Sequence, residues 1–329
     1  MEVGKLSPDL LKSSVLRFEG TKRPEVLIGA LLGEDSAIID MEDRLLAISV
    51  DPITGASSHI GRLAVHVSCN DVVSNGAEPF AIQVLLLMSV NDTPSDVERI
   101  MKEISETAHA VGVQVIGGHT EFTDKVTEPV VAVTALGKVT KDKLATSSGA
   151  KIGDKIIISK GAGIEGTAIL AKEYRDILSD LPANLLDEAA EFYDMISIIP
   201  EGRIASSLDV KVLHDTTEGG VLGAMWEIAE ASEVGFEIDA NAVPIRPETK
   251  AICDKLGLDP LKLLSSGTLI MVTSESDLLL NKLHEAKIDA EVIGTIVDKS
   301  KGRVIVRQNE EIQILGPTTD ELWRLKSMK

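Results

Sequence analysis

The chain has 329 residues, a length that at roughly 150 residues per domain corresponds to two domains of ordinary size. Apolar residues make up 44% and charged residues 26%, so a sizeable core is available and wholesale disorder is excluded. The 33 basic residues are outnumbered by 52 acidic ones, and the formal net charge of −19 repels nucleic acid backbones and anionic lipid surfaces.

Targeting signals and cysteines add two further exclusions. The N-terminus lacks the apolar core of a signal peptide, and no run approaches the roughly 18 apolar residues of a membrane helix. Cys69 and Cys253 lie far apart and form no CxxC pair, which excludes a disulfide framework and a zinc knuckle. We therefore expect a cytoplasmic protein with neither a membrane nor a nucleic acid as partner.

Strand and helix patterns alternate through the first half and predict an α/β domain. Ala47–Val50 and Phe80–Met88 are apolar enough for buried strands, with a helix between them. The clearest helix starts at Thr93, a capping residue followed by proline, and ends at Gly112. Another apolar strand covers Val130–Leu136.

A polar stretch around Ser148 is the best candidate boundary, and it divides the chain into domains 1–148 and 149–329. The second domain opens with a strand at Lys155–Ser159, a glycine loop and a helix. Its later part predicts a split βαβ unit, which makes this domain α+β. The unit comprises strand Thr268–Val272, helix Ser276–Ala286 and strand Val292–Val297.

Acidic or amide side chains stand beside glycines or small polar residues in five separated segments. The segments carry Asp35; Asp51; Asn70 and Asp71; Gly117, Gly118, His119 and Glu121; and Asp215, Thr216, Gly219 and Gly220. Converging carboxylates would repel one another unless a cation lay between them, and Mg²⁺ commonly bridges carboxylates and substrate phosphates. The paired glycines would let backbone amides approach phosphate oxygens. The pattern thus predicts a site for Mg²⁺ and a triphosphate; the alternative is that each segment is an ordinary turn.

A literal GxGxxG occurs at Gly161, Gly163 and Gly166, between a strand and a helix. A dinucleotide site also needs a second strand ending in an acid about 20 residues later, and residues 168–187 contain no strand pattern. A tight strand-to-helix turn is favoured over an NAD site. Other catalytic templates (GxxxxGK[ST], HExxH, GxSxG) are absent, and His119 and His214 are the candidate acid–base histidines.

Taken together and in order, these motifs resemble the aminoimidazole ribonucleotide (AIR) synthetase superfamily, and most closely its hydrogenase expression/formation protein E-like branch. The resemblance extends from Gly4 to about Val306. It rests on GEDSAIID, SVDPITG, NDVVSNGAEP, GGHTE, GDKIIISKGAGIEGTAILA and LHDTTEGGVLGAMWEIAEAS.

The resemblance implies an N-terminal α/β domain that forms half of a barrel, completed by dimerisation, and a C-terminal α+β domain. It also implies ATP bound with Mg²⁺ near the dimer interface and phosphoryl transfer to an oxygen of an unidentified acceptor. Asp35, Asp51, Asp71 and Asp215 match the metal-binding aspartates of the superfamily. Its nucleotide-site positions are matched by Asn70, Gly117, Gly118, Thr216, Gly219 and Gly220, and Glu121 is a further candidate metal ligand.

Three departures bear on activity. The chain ends ELWRLKSMK, without the C-terminal acceptor cysteine of the hydrogenase maturation branch, and its first 68 residues contain no cysteine. His119 stands where the branch has an aspartate, and it is a candidate catalytic group. We therefore expect a Mg²⁺- and ATP-dependent enzyme that phosphorylates or dehydrates an oxygen of a small or protein-borne substrate, with a maturation protein as a possible partner. The alternatives are a non-catalytic ATP-binding maturation scaffold, a kinase similar to thiamine monophosphate kinase, and a dehydrogenase.

Overall fold

A computed structural model describes residues 4–54, 56–317 and 319–327 of the chain. It contains two β-sheets, one of six strands from the first half and one of seven strands from the second half. Helices pack against both sheets. The α/β and α+β fold predicted from the sequence is confirmed.

The first sheet has the strand order β1-β2-β3-β6-β4-β5. Its neighbouring strands are antiparallel except for β4 and β5, which run parallel and are joined by a helix. The elements of this half are α1 (Pro8–Leu11), β1 (Val26–Ile28), β2 (Ala37–Asp40), β3 (Leu45–Ile53), α2 (Ile60–Ser74), β4 (Glu78–Ser89), α3 (Pro94–Val111), β5 (Gln114–Thr123) and β6 (Val130–Val139).

Helix α3 begins and ends where its sequence indicates. Thr93 and Asp96 form a capping box at its start, and Gly112 ends it in the left-handed conformation. Helix α2 differs because nearly all of its residues are buried, including polar ones such as Ser68, Asn70 and Asp71. A helix that is buried on all sides places its polar side chains inside the protein, where they must find internal partners.

The second sheet has the order β13-β12-β9-β11-β7-β10-β8. Strand β7 lies between β10 and β11 and is antiparallel to both, so β10, helix α9 and β11 form the predicted split βαβ unit. The elements of this half are β7 (Lys155–Ser159), α4 (Ile164–Glu173), α5 (Ala183–Ala190), α6 (Ile199–Ser207), β8 (Val212–Thr216), α7 (Gly220–Ala231), β9 (Gly235–Asp239), α8 (Pro247–Leu256), β10 (Thr268–Thr273), α9 (Ser276–Glu285), β11 (Ala290–Val297), β12 (Arg303–Arg307), β13 (Glu310–Gln313) and α10 (Glu321–Ser327).

The largest hydrophobic cluster joins the two halves. It runs from Leu63 and Val67 on α2 through Ile157 on β7 to Leu213 on β8. Thr146 pairs with Val212, so the chain on the N-terminal side of the predicted boundary already touches the second sheet. The division at residue 148 stays a prediction. Within the described residues, no helix is both long enough and apolar enough to cross a membrane.

His66 on α2 gives a test of how tightly this shared core is packed. Burial, together with the charges of Arg62 and Lys160, lowers the pKa of His66 to about 4. Because the folded protein binds this proton less readily than the unfolded chain, stability is lost as the pH falls from about 6.5 to 4. Between pH 7 and pH 5 we expect a loss of about 2 kcal/mol from this residue. Chemical denaturation of the wild type and His66→Gln at both pH values measures it, and an equal loss in the variant would contradict the assignment.

Candidate functional site

Four aspartates from both halves of the chain lie close together. Asp35 follows β1, Asp51 lies on β3, Asp71 on α2 and Asp215 on β8. Burial is the largest effect on Asp71, and with the charges of the other three it raises the pKa of Asp71 well above its ordinary value. We call these four residues the aspartate cluster. Segments that lie up to 180 residues apart, at Asp35 and Asp215, therefore converge as the sequence predicts.

Three members of the cluster are directly connected to other groups. The side chain of Asp51 hydrogen-bonds to that of Asp71, and Ser49 donates its hydroxyl to Asp71 Oδ2. Asp35 Oδ2 lies 3.1 Å from His214 Nδ1. Burial and the nearby charges of Lys5, Asp35 and Glu218 act on Asp51, and the net effect raises its pKa. Carboxylates held this close share protons or need a cation between them.

Asp215 is the least satisfied member of the cluster. Its side chain is 2% exposed, and Asp215 Oδ2 is buried without a hydrogen-bond partner among the described residues. The neighbouring Thr216 hydroxyl is likewise buried and unpartnered. Burial first, and then the charges of Asp35 and Asp51, raise the pKa of Asp215 well above its usual value. An unpartnered buried carboxylate oxygen fits a bound cation.

His214 carries a positive charge beside the cluster. Its two ring nitrogens face Asp35 Oδ2 and Glu227 Oε2, the latter at 2.9 Å, and Ser147 Oγ lies 2.9 Å from Nδ1. Burial disfavours the imidazolium, but the two carboxylates outweigh it and raise the pKa of His214 well above its usual value. His214 therefore orients Asp35 and offsets its charge. Its pairing with Glu227, from α7, was not predicted from the sequence.

Lys5 is a second cation at the cluster, supplied by the N-terminal segment. Its Nζ donates to Thr217 Oγ1 at 3.2 Å, and its backbone N–H donates to Glu218 Oε2 at 3.0 Å. Desolvation opposes its charge, yet Glu227, Glu218, Asp51 and Asp215 raise the pKa of Lys5. Against these two cations, the described residues place the aspartate cluster, Glu34, Glu218 and Glu227 at the site. The carboxylates outnumber the cations, so charge repulsion adds to burial in raising the pKa values of Asp51, Asp71 and Asp215.

The aspartate cluster has the chemistry for a divalent cation but not a complete protein cage. Among the residues that the structure describes, no three His, Cys, Asp or Glu side chains are grouped to hold one metal ion. Mg²⁺ usually takes only one or two carboxylates and completes its octahedron with waters and substrate phosphates. The unpartnered Asp215 oxygen and the Asp51–Asp71 pair match that mode of binding.

Asn70, predicted as a nucleotide contact, is bonded to the backbone. Its Nδ2 donates to Ile196 O at 2.8 Å, and its Oδ1 accepts from Ile198 N at 3.1 Å. The side chain is completely buried and ties α2 to the segment before α6. Both hydrogen bonds of the Asn70 side chain hold parts of the protein together. Its contact with a nucleotide stays a prediction.

Gly219 and Gly220 start α7 close to the cluster, as predicted. Both have positive φ, and a Cβ on Gly220 would lie 2.6 Å from Leu261 O, so no larger residue fits there. The Gly219 N–H donates to Asp320 Oδ2 at 2.8 Å. Burial is the main reason that the pKa of Asp320 rises to about 7. The helix terminus thus already holds one carboxylate.

Gly117, Gly118, His119 and Glu121 lie elsewhere in the same chain. They belong to β5, the edge strand, and Gly118 aligns with Asp51 across β4 and β6. Three strand spacings correspond to about 14 Å. His119 Nε2 and Glu121 Oε2 are 3.1 Å apart, and both side chains are exposed. Within a single chain these residues lie away from the aspartate cluster. Their roles in binding nucleotide or metal and in acid–base chemistry stay predictions.

The GxGxxG glycines are needed for packing. A Cβ on Gly161 would lie 2.7 Å from Pro244 O, and one on Gly166 would lie 2.4 Å from Leu263 Cγ. The Gly163 N–H donates to Ser265 Oγ at 2.6 Å. Neighbouring chain therefore occupies the space that a pyrophosphate would need, and the favoured interpretation as a tight turn fits the structure.

Two other groups near the cluster bear on its chemistry. Cys69 is buried, and burial raises the pKa of its thiol to about 12, so it is not a nucleophile. Glu165, at the start of α4, hydrogen-bonds to Ser266; its burial, with the charges of Asp320, Glu218 and Asp51, raises its pKa to about 7. Sequence reasoning missed Glu165 because its partners come from distant segments.

Comparison with known proteins shows the family of the chain. Residues 33–139 match the family model of the AIR synthase related protein N-terminal domain, and residues 151–307 match that of its C-terminal domain. The chain belongs to the AIR synthase related family. Its sequence relatives include HypE hydrogenase maturation proteins, the branch that the motifs indicated.

Two relatives illustrate the range of similarity. A putative hydrogenase expression/formation protein of Methanocaldococcus jannaschii is 31% identical over 92% of this chain and 91% of its own. The carbamoyl dehydratase HypE of Rhizobium leguminosarum bv. viciae is 30% identical over 75% of this chain and 71% of its own.

Solved structures share the fold. A HypE from a HypE–HypF complex superposes with a TM-score of 0.77 at 23% identity, covering 94% of this chain and 99% of its own. A HypE in complex with ATP gives 0.74 at 23% identity, covering 98% and 97%. AaThiL complexed with AMPPCP and TMP gives 0.72 at 19% identity, covering 88% and 92%.

Proposed function

We propose that the protein is a Mg²⁺- and ATP-dependent enzyme that transfers the γ-phosphoryl group to an oxygen of an acceptor. In the hydrogenase-maturation form of this chemistry, phosphorylation of an amide-like oxygen is followed by its loss, which is a dehydration. The observation that carries the proposal is the aspartate cluster, where four carboxylates from both halves meet around the unpartnered Asp215 oxygen. Phosphoryl transfer needs mainly positioning and charge neutralisation, which such a site supplies once metal ions are bound.

The residues divide this work between them. Asp35, Asp51, Asp71 and Asp215 would hold Mg²⁺, and the bound ions would neutralise the triphosphate against a negative site. His214 would keep Asp35 in place, while Lys5 is positioned to contact an anionic group that enters the cluster. Thr216, Gly219 and Gly220 lie at the same end of β8 and α7 and would border the phosphates. The relatives support this assignment, since one is named a carbamoyl dehydratase and one solved neighbour holds ATP.

A homodimer is part of the proposal. Helices α2 and α3 cover one face of the first sheet, while large apolar side chains on three strands remain 39% to 59% exposed. They are Val50 on β3, Phe80 and Leu85 on β4, and Ile116 on β5. A second copy closing the sheet into a barrel would cover them and the open edge of β5. We also infer a maturation protein as a partner, because a HypE–HypF complex is among the solved neighbours.

Single-turnover assays distinguish the enzyme from two of its alternatives, the maturation scaffold and the small-molecule kinase. With ATP labelled in the γ-phosphate and Mg²⁺ present, an enzyme releases labelled phosphate or transfers it to an added acceptor. Tight Mg²⁺-dependent binding without turnover, for carbamoylated peptides and small acceptors alike, would favour a maturation scaffold. Transfer to thiamine monophosphate would favour a kinase, a function suggested by the neighbour crystallised with AMPPCP and TMP.

Asp51→Asn tests one metal ligand. We expect the variant to bind ATP with Mg²⁺ at least tenfold more weakly, because loss of a carboxylate lowers metal affinity. Its unfolding free energy should change by less than about 1 kcal/mol, since burial already disfavours the Asp51 charge. Calorimetric titration and thermal melting measure the two effects. An unchanged nucleotide affinity would remove Asp51 from the site.

A further inference from the structure

A cavity of about 360 Å³ lies where the two halves of the chain meet. The first half supplies the end of α2 and the start of β4, around Val73 and Glu78, and the second half supplies α6, around Ile199 and Arg203. Arg44, directly before β3, is also part of the lining. The volume is at the lower end of the range of small-molecule sites, so the cavity suits a ligand smaller than a nucleotide.

The cavity is distinct from the aspartate cluster. Arg44 precedes β3, whereas Asp51 lies seven residues further along this strand, which corresponds to about 23 Å. Asp71 is closer along the chain, two residues before Val73 on α2, but residues two apart on a helix point in different directions. None of the four aspartates of the cluster lines the cavity.

The lining of this cavity is basic, although the whole chain has a formal net charge of −19. Four basic side chains line it, namely Arg44, Lys138, Lys143 and Arg203, against a single carboxylate, that of Glu78. A different cavity over β9 and β11 has the opposite lining, with Glu237 and Asp239 and neither lysine nor arginine. Cations gathered around a concave site raise the local concentration of small anions.

Two of the four cations already have carboxylate partners. Arg203 donates from two of its nitrogen atoms to the two carboxylate oxygens of Glu78. Lys143 Nζ lies 3.6 Å from Asp209 Oδ1, at the edge of ion-pair distance. These two side chains therefore serve the protein itself, and the charge available to a ligand comes from the other two.

Arg44 and Lys138 are the cations without such partners. No described residue forms an ion pair with either side chain or accepts a hydrogen bond from it. Lys138 Nζ lies 5.9 Å from the centre of the Phe80 ring, a contact that leaves its N–H donors unused. Thr140 and Ser206 add two hydroxyl groups to the same lining. The cavity thus offers two unpaired cations and further donors to an anion.

The surroundings of the cavity favour a small anion over an acidic segment of another protein. Glu42 and Asp43 stand immediately before Arg44, and Asp209 follows α6; all three are exposed and none lines the cavity. An extended acidic chain would meet these carboxylates as soon as it left the cavity, and like charges repel one another. A compact anion would meet only the basic lining.

Phosphate is the compact anion that this donor set suits best. A guanidinium group binds two phosphate oxygens at once, an ammonium group adds a point charge, and hydroxyl groups donate to the remaining oxygens. We propose that this cavity binds a small phosphate ester, with Arg44 and Lys138 as its main contacts, as a site separate from the proposed Mg²⁺–ATP site.

Binding without divalent ions isolates this cavity, because the aspartate cluster then repels anions. In EDTA at low ionic strength, we expect glycerol phosphate to bind with a dissociation constant in the millimolar range and to raise the melting temperature. Sodium chloride at equal ionic strength should do neither. Inorganic phosphate is the second probe, and tighter binding of glycerol phosphate would identify an ester rather than free phosphate as the ligand.

Arg44→Gln and Lys138→Gln each remove one charge from the lining. Each should weaken glycerol phosphate binding roughly fivefold, and the double variant should bind none that titration detects. Lys141→Gln is the matched control, because Lys141 is an exposed lysine of the same region that pairs with Asp40 and does not line the cavity. Melting and light scattering verify that each variant is folded and keeps its oligomeric state.

The outcomes keep this proposal separate from the proposed function. If neither phosphate compound binds in EDTA, or if the double variant binds them like the wild type, the proposal is overturned. Binding of poly-glutamate without binding of glycerol phosphate would overturn it as well, since the surface would then accept acidic chains. ATP binding with Mg²⁺ is measured in the same double variant and should equal that of the wild type, and it alone bears on the proposed function.

Discussion

Asp215→Asn is expected to weaken Mg²⁺-dependent ATP binding by at least about 100-fold and to stabilise the metal-free protein at the same time. The loss follows because Asp215 presents the unpartnered carboxylate oxygen of the cluster, and an amide is a poor ligand for a hard dication. The gain follows because the variant removes a buried carboxyl group whose ionised form is disfavoured by burial and by Asp35 and Asp51, which should contribute about 1–2 kcal/mol.

The stabilisation should depend on pH. The pKa of Asp215 is raised in the folded protein, so the wild type binds this proton more readily when folded. Its stability therefore falls as the pH rises above about 4 towards the folded-state value, and the asparagine variant escapes this loss. Melting temperatures without divalent ions at pH 5 and pH 8 measure the difference. Asp124→Asn, at an exposed position, is the control and should show neither effect. A destabilised Asp215→Asn protein that still binds Mg²⁺–ATP would contradict the assignment.

Lys160→Met is expected to destabilise the protein by about 3–5 kcal/mol, the largest stability effect we predict. Lys160 Nζ lies 2.8 Å from Glu201 Oε1, and Glu201 is completely buried. The same ammonium donates to three backbone carbonyl oxygens, those of Met195, Ser197 and Gly267. Removing the lysine leaves a buried carboxylate without its cation and three carbonyls without a donor.

A double variant and a surface pair make this result specific. Lys160→Met with Glu201→Leu should recover part of the loss, because it removes the orphaned charge but not the lost carbonyl bonds. Lys250→Met breaks an exposed pair with Asp254 and should cost less than about 0.5 kcal/mol. Urea unfolding of the four proteins gives the free energies. An equal loss of unfolding free energy in Lys160→Met and Lys250→Met would contradict a stabilising role for the buried Lys160–Glu201 pair.

Elements set by local signals were predictable from the sequence. Helix α3 begins and ends where its capping residues Thr93 and Gly112 place it, because a cap satisfies the helix's own free backbone groups. The split βαβ unit followed from hydrophobic periodicity alone. Hydrophobic periodicity indicates which face of a strand or helix is buried. It therefore distinguishes strands from helices and gives their succession along the chain.

The acids of the site and His214, which directly precedes Asp215, were predictable from the sequence, but Lys5 was not. Four aspartates stand out in the sequence because a carboxylate beside an apolar segment is unfavourable unless it is paired or binds a cation. They are Asp35, Asp51, Asp71 and Asp215. The contact of Lys5 with Thr217 spans 212 residues, and no local pattern reports such a pairing. The GGHTE segment is the opposite case. Its motif is conspicuous in the sequence, yet its strand β5 lies at the edge of the sheet, away from the aspartate cluster.

We infer that nucleotide binding at the aspartate cluster requires a divalent ion between the carboxylates and the phosphates. The direct measurement is calorimetric titration of the full chain with a non-hydrolysable ATP analogue, first with Mg²⁺ and then after exhaustive chelation. We predict measurable affinity with Mg²⁺ and at least a 100-fold loss without it, because the carboxylates of the site would then outnumber Lys5 and His214 opposite the triphosphate. An affinity that survives complete removal of divalent ions would contradict the account.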